Sequence, residues 1–300
     1  MVRPIDFCFN EQTGIDNEFQ NRPDNSELES LSKKTNREFD DTVECLQKLG
    51  VEVLTLEKNH TNQILPDAVF PNNWFSTQAN GRIIIYPMKT ANRQAEVQLP
   101  QLKNLLTYAG YKISEICDLR EKKSNSEVLE GTGSLIFHHP SNQLFAALSE
   151  RCQQNALIDF ANKFNYSLNQ FETSSRSGSP IYHTNVLMSC GKDFAVITEE
   201  VISEKDKNNV VKELPNYVND LLIITEQQMT EHFCGNILQL NDSSQQPLIA
   251  MSQSAYNGFT APQRKILENH GSLAICSIPT IEKVGGGSVR CMLAENFLPS

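Results

Sequence analysis

The chain repeats one short grammar five times, and this repetition limits its fold more than anything else in the sequence. A helical apolar stripe ends at a glycine or an asparagine, and a short strand-like run follows. The first instance is REFDDTVECLQKLG, where Phe39, Val43, Leu46 and Leu49 share one face and Gly50 closes the helix ahead of VEVLTL. The others are LTYAG with YKISEI, closing at Gly110; ANKFN with YSLNQF, at Asn165; PNYVN with DLLIIT, at Asn219; and LENHG with SLAICSI, at Gly271. Glycine and asparagine tolerate a left-handed backbone best, so each is expected to cap its helix. The caps recur at intervals of 60, 55, 54 and 52 residues.

A polar loop and then an unusual short segment follow each strand. These are FPNNWF (Phe70–Phe75), LEGTG (Leu129–Gly133), YHTN (Tyr182–Asn185), FCGN (Phe233–Asn236) and GGGSVRC (Gly285–Cys291). Asn73, Glu130, His183, Asn236 and Cys291 lie 17 to 23 residues beyond their caps, at equivalent places in successive units. Four units continue into another strand: RIIIYPM, LFAALS, DFAVIT and PLIAMS. The fifth has none, and the N-terminal MVRPIDFCF fits the gap. The pattern predicts one α/β domain over 1–300, a pseudo-fivefold propeller of ββαβ-like modules. Its N-terminal strand would close the ring by pairing with the last module. Closure would leave few free strand edges and bring five equivalent segments to one axis. The alternative is an α/β sandwich with coincidental spacing.

Charge and cysteine usage narrow the function. A net charge of −10 repels phosphate backbones and anionic lipid, so neither nucleic acid nor a membrane is expected as a partner. MVRPIDFCFNEQ has no apolar signal region, and no apolar run approaches a membrane span. The eight cysteines are scattered, without CxxC or Cys/His metal spacing, so the reading is reduced thiols, a cytoplasmic protein and no metal. His138 and His139 are adjacent, a poor ligand geometry, and are expected at an exposed loop end before Pro140. Whether copies assemble into a homo-oligomer is open.

The last segment suggests chemistry. A buried cysteine needs no run of glycines before it, whereas a nucleophilic cysteine gains from close backbone approach and a nearby cation. Cys291 lies behind three glycines and Arg290. His183 and Glu130 stand at equivalent places in their own units.

GGGSVRCM, LEGTG, the HTN after Tyr182, and FPNNWF, in this order over the whole chain, resemble the guanidine-modifying superfamily. That group comprises arginine deiminases, dimethylarginine hydrolases and amidinotransferases on the five-bladed pentein fold. The resemblance is strongest to its citrulline hydrolase branch. It implies a Cys291, His183 and Glu130 catalytic group with no cofactor. MKTANRQAE resembles the segment that supplies an arginine to the substrate carboxylate, which points to Arg93; ALSERCQQNA similarly points to Arg151. The bland reading makes both exposed arginines at helix starts. Asn10 and Gln12 are weaker candidates for the substrate's amino-acid head, and Phe70 is a further lining candidate.

The departures bear on substrate. Arginine deiminases hold aspartates in an Arg-Asp-Pro segment and in His-x-Asp; here those places carry Asn73 and Asn185. An aspartate pair suits a cationic guanidinium, whereas amides offer a donor and an acceptor to a neutral ureido group. The expected reaction is hydrolysis of L-citrulline to L-ornithine, ammonia and CO2, chiefly because of Asn185, since a branch of the superfamily also has asparagine at the place of Asn73. Arginine dihydrolase and arginine deiminase activities are the enzymatic alternatives. A pentein-fold ribosome-binding factor is the non-enzymatic one.

Overall fold

The computed structural model describes residues 1–57, 63–122 and 127–300. Its first helix, α1 (Asn25–Lys48), starts at a capping box between Asp24 and Glu27. It buries Leu31, Thr35, Phe39, Thr42 and Leu46 along one stripe, while Leu49 falls past its end and is exposed. Four units of one design follow. The first runs β1 (Phe75–Gln78), β2 (Arg82–Ile85), α2 (Ala91–Gln94), α3 (Leu99–Tyr108) and β3 (Glu115–Asp118). The second runs α4 (Gly131–Ser134), β4 (Ile136–His138), β5 (Gln143–Ala147), α5 (Gln154–Phe164) and β6 (Ser167–Phe171). The third runs α6 (Thr184–Leu187), β7 (Met188–Cys190), β8 (Phe194–Ile197), α7 (Glu204–Glu213) and β9 (Asp220–Ile223). The fourth runs α8 (Glu226–His232), β10 (Leu238–Asn241), β11 (Pro247–Ser252), α9 (Gln253–Gly258), α10 (Ala261–Asn269) and β12 (Ser272–Cys276). The chain ends with α11 (Pro279–Gly285), α12 (Val289–Met292) and an extended tail.

Each unit is a three-stranded sheet, in the order β1-β2-β3, β4-β5-β6, β7-β8-β9 and β10-β11-β12. The first pair is antiparallel and the second, reached through a helix, is parallel. The middle strand is hydrogen-bonded on both sides and covered on both faces. This explains why RIII, QLFAA, FAVI and PLIAMS read as near-continuous apolar runs.

The expected fifth module is the main difference from the sequence reading. Four sheets form, and the strands close no barrel among the described residues. VEVLTL is not a strand; Leu56 alone makes a parallel bridge, to Val2. The Arg3 N–H donates to Leu56 O and the Leu56 N–H to Met1 O. The N-terminal segment thus pairs with the run after α1, as β2 pairs with β3, and not with β12. Past Arg3 the N-terminal segment turns, its Ile5 N–H bonded to Arg3 O, and the pairing stops.

The caps divide as well. Gly50, Gly110 and Asn165 take left-handed φ of 83°, 93° and 58°. Asn219 does not, because α7 stops at Glu213, passes into a 3-10 turn over Leu214–Asn216, and the Asn219 N–H goes to Asp193 O. Gly271 meets a different need: a Cβ there would lie 2.7 Å from Pro247 O, so glycine lets β12 start beside β11. His138, expected to be exposed, is buried in β4 and bonds Ser141 Oγ (2.6 Å) and Lys192 O (2.9 Å). It ties the second unit to the third.

Helix α1 packs against β12 and α11, and its Phe39 is fully buried below the Arg3 guanidinium. Its cluster includes Phe70, Val284 and Cys291. Phe39→Ala should therefore cost about 3–5 kcal/mol, read as a lower urea midpoint at unchanged slope.

Candidate active site

The five short segments meet in a circuit. Thr132 Oγ1 donates to Asn72 O (3.2 Å), and Thr184 Oγ1 to Ser134 O (2.7 Å). Asn236 Nδ2 donates to Asn185 O (2.8 Å) and lies 3.3 Å from Cys291 Sγ. The last segment returns to the first through Phe70, whose ring lies where a Cβ on Gly285 or Gly287 would be, within 2.9 and 3.1 Å of it. Those two glycines make room for Phe70, and Gly286 takes φ 62° beside Asn17 and Gln20.

Glu130 is the electrostatic centre. It is fully buried, and its Oε2 lies 2.8 Å from His183 Nε2 and 3.7 Å from Arg151 Nη1. Its Oε1 accepts the Lys89 N–H at 2.9 Å. Burial alone would raise its pKa, but the Arg151 charge and the His183 hydrogen bond hold the carboxyl down at about 2. The carboxylate is therefore ionised wherever ordinary carboxylates are. Burial lowers the His183 pKa, an effect the Glu130 bond only partly offsets, so the neutral imidazole is favoured. Facing an ionised carboxylate, its Nε2 carries the proton and Nδ1 is left as an acceptor.

Cys291 sits in α12, behind Ser288 at the N-cap, and is 3% exposed. Its sulfur receives Asn185 Nδ2 and Asn236 Nδ2, each at 3.3 Å. Burial raises the thiol pKa; the Asn236 bond, the Ser288 backbone, Arg290 and Asn185 oppose it. His183 and Asn185 occupy the N-cap and first turn of α6, so the contact with Asn185 brings the sulfur to the element that carries the imidazole.

Both candidate arginines are buried, not exposed at helix starts, and both are already paired. Arg93 Nε donates to both Glu96 oxygens (3.0 and 2.9 Å), Nη1 to Asn73 Oδ1 (3.1 Å) and Nη2 to Phe70 O (2.9 Å). Arg151 lies over the Tyr182 ring at 4.9 Å, donates to Thr13 O (3.2 Å), and pairs with Asp16 through Nε and Nη2. Lys89 Nζ reaches the same Asp16 at 2.7 Å. Asn10 Nδ2 donates to Asp67 Oδ2 (2.7 Å), while its Oδ1 accepts from Asn92 Nδ2 (2.6 Å) and the Gln12 N–H (3.0 Å). Gln12 Oε1 accepts the Asn92 N–H at 3.2 Å.

Buried polar atoms without a hydrogen-bond partner concentrate here. Of eight such side-chain atoms among the described residues, five belong to Asp67, Asn72, Asn73 and Asn185. Each costs about 1–3 kcal/mol in a folded protein, so their gathering at one place argues for recognition rather than packing. The amide orientations follow from partners. Arg93 can only donate, so Asn73 turns Oδ1 toward it and leaves Nδ2 free. The sulfur receives Asn185 Nδ2, leaving Oδ1 free. The site thus presents one unpaired donor and one unpaired acceptor from these two residues.

Asp67, Asn72, Asp16 and Lys89 escaped sequence reasoning. Asp67 is three residues before Phe70 and could have been found by extending that segment; Asp16 lies in a loop with no local signal. No group of three or more His, Cys, Asp or Glu among the described residues could hold a metal. No helix among them is long and apolar enough to cross a membrane. All eight cysteines are unpaired as disulfides. A cavity of about 920 Å³ lies elsewhere, lined by residues such as Leu54, Thr77, Phe137, Ser189 and Arg290, and it touches none of Cys291, His183 or Glu130.

Gly133 separates Asn73 from His183. A Cβ there would lie 2.1 Å from Asn73 Nδ2 and 2.9 Å from His183 Nδ1. Gly133→Ala should displace both side chains, cost about 1–3 kcal/mol as overpacking, and cut kcat by about 100-fold or more, the order general acid–base groups supply. Thermal melting and steady-state kinetics on the same preparation check this.

Several solved structures share the fold. The N-terminal domain of ArgZ bound to substrate, described as an arginine dihydrolase from the ornithine-ammonia cycle in cyanobacteria, superposes with a TM-score of 0.68 at 13% identity, over 97% of this chain and 95% of that one. DDAH from Pseudomonas aeruginosa complexed with citrulline gives 0.65 at 12%, also over 97% and 95%. Unliganded AgrE gives 0.72 at 14%, over 97% of this chain but 38% of that one. No curated protein sequence matches the chain. The family model described as N,N dimethylarginine dimethylhydrolase, eukaryotic, matches residues 3–298. The chain belongs to that family, within the pentein superfamily of arginine- and citrulline-handling enzymes.

Proposed function

We propose that the protein is a cysteine-dependent hydrolase of L-citrulline. The observation that carries this is the free donor at Asn73 Nδ2 together with the free acceptor at Asn185 Oδ1, both buried. A ureido group offers a carbonyl oxygen to the first and an NH2 to the second. A guanidinium has donors only, so it would leave Asn73 Nδ2 facing another donor.

In this reading the Cys291 sulfur adds to the ureido carbon. His183 Nδ1 takes the thiol proton as the sulfur adds and passes it to the departing nitrogen, and ammonia leaves an N-alkyl thiocarbamate on sulfur. His183 then takes a proton from water, which attacks the same carbon and frees the thiol. The resulting carbamate separates into CO2 and ornithine. Glu130, held ionised, orients the imidazole and stabilises it while charged. Asp67 Oδ1, also without a partner, suits the substrate's ammonium group. Arg151 and Lys89 suit its carboxylate, which would take the position of the Asp16 carboxylate between them. Arg93 acts from behind by fixing Asn73. The same reading takes Val2, Leu56 and the extended tail as a reduced fifth unit closing the ring, in one catalytic domain acting on a free amino acid.

A second reading is arginine dihydrolase activity, because ArgZ, one of the structural neighbours, is described so. The family description adds dimethylarginine. Citrulline, arginine and dimethylarginine offered separately distinguish these by product analysis. Ornithine from citrulline alone is expected, and none from Cys291→Ala. Ornithine from arginine as well would favour the dihydrolase, and turnover retained in Cys291→Ala would end the mechanism.

The charge argument has its own test. With Cys291→Ala as background, Asn73→Asp and Asn185→Asp together add carboxylates that citrulline cannot neutralise and arginine can. Binding isotherms should move the citrulline-to-arginine affinity ratio toward arginine by at least tenfold. An unmoved ratio would remove the physical support for citrulline.

A further inference from the structure

Asn236 is the one equivalent-position residue to which the proposed reaction gives no task. We propose that it is a positioning residue for the nucleophile: with Asn185 it forms a two-amide cradle that fixes the direction of the Cys291 sulfur and stabilises the thiolate when the thiol gives up its proton. The inference rests on Cys291 being the nucleophile of the reaction proposed above.

The amide geometry is determined by its neighbours. Asn236 Nδ2 lies 2.8 Å from Asn185 O, and a backbone carbonyl can only accept, so the nitrogen must face that way. One of its hydrogens serves Asn185 O and the other is left for the sulfur, 3.3 Å away. Asn185 Nδ2 approaches the sulfur at the same distance. Asn236 Oδ1 lies 3.6 Å from the sulfur, within reach of a thiol proton. The same amide can therefore accept from the thiol and donate to the thiolate. All three residues are buried, so bulk water supplies no substitute for these donors.

The backbone holds Asn236 at some cost. Phe233, a bulky residue, takes a left-handed φ of 55°, a conformation disfavoured for such side chains. Its carbonyl accepts the Asn236 N–H at 2.8 Å. A Cβ on Gly235 would lie 2.3 Å from Val186 O, so this turn presses directly on α6, the helix that carries Asn185. The strained turn and the close approach together fix both amides relative to the sulfur.

The other charged or titratable groups around the sulfur do not replace them. Arg290, on the same turn, points to Leu293 O (3.0 Å) and Glu295 (3.4 Å). Tyr182 donates its hydroxyl to Gly286 O (2.5 Å), and His183 is tied to Glu130. Glu282 of α11 accepts from Ser288 Oγ. Burial pushes the thiol up, and the Asn236 contact is foremost among those opposing it.

The test is the pH dependence of iodoacetamide alkylation, followed at the Cys291 peptide by mass spectrometry in the intact protein without substrate. In Asn236→Ala the alkylation midpoint should rise by about one to two pH units, the scale of one lost hydrogen bond to a charged group. Its kcat should fall at neutral pH with KM little changed, and should partly recover in alkaline buffer, which a merely structural defect would not do. Asn236→Asp keeps the volume and adds repulsion, so its midpoint should rise at least as far; it decides the matter if the alanine variant does not fold. An unmoved midpoint in either folded variant overturns the proposal. Alkylation needs no substrate, so a failure here leaves the citrulline reading standing, and a failure of the product assay leaves the cradle standing.

Discussion

The buried carboxylate of Glu130 is the interaction on which the site depends. Its two oxygens meet the His183 ring, the Lys89 backbone and the Arg151 guanidinium, which come from three different units. Arg151 extends the network to Asp16, and so to the N-terminal loop. A lone ionised carboxylate in such a place would be prohibitive; paired, it is held to about pH 2 and becomes a fixed negative charge. Removing one partner would leave the others buried and unmatched, so the network fixes the mutual arrangement of elements far apart in sequence.

Close backbone approach is the second condition. A Cβ on Gly131 would lie 2.4 Å from Asn72 O, one on Gly133 would strike Asn73, and one on Gly235 would strike Val186 O. Each short segment thus rests on the backbone or side chain of the one before it. Gly285 and Gly287 return the circuit to Phe70. The glycines near Cys291 serve this nesting, which sets the position of the sulfur as firmly as its hydrogen bonds do.

Neutrality distinguishes the reacting end of the site from its periphery. Amides stand against the sulfur, Asn185 and Asn236, with Asn72 and Asn73 in the segment that packs on α12. The cations are in pairs, Arg93 with Glu96, Arg151 with Asp16 and Glu130, and Lys89 with Asp16, while Asp67 is held by Asn10 and Thr13. A zwitterionic head and a neutral side-chain end would meet matching surroundings in such an arrangement. The amides also bring donors to the Cys291 sulfur.

The recurring helix–strand grammar by itself determined the unit design and the equivalence of Asn73, Glu130, His183, Asn236 and Cys291, because periodicity and cap residues are local properties of the chain. The resemblance of MKTANRQAE and ALSERCQQNA to family segments pointed to Arg93 and Arg151. Tertiary structure decided the rest. Whether VEVLTL pairs as a full strand depends on the N-terminal segment that meets it across α1, and only Leu56 finds a partner there. That Asp16 occupies Arg151, that Asp67 is steadied by Asn10, and that Arg93 turns Asn73 so that its nitrogen is free are all contacts across loops with no sequence period. The identity of an amide is written in the sequence; which of its two ends is left free is fixed only by the neighbour that holds the other end.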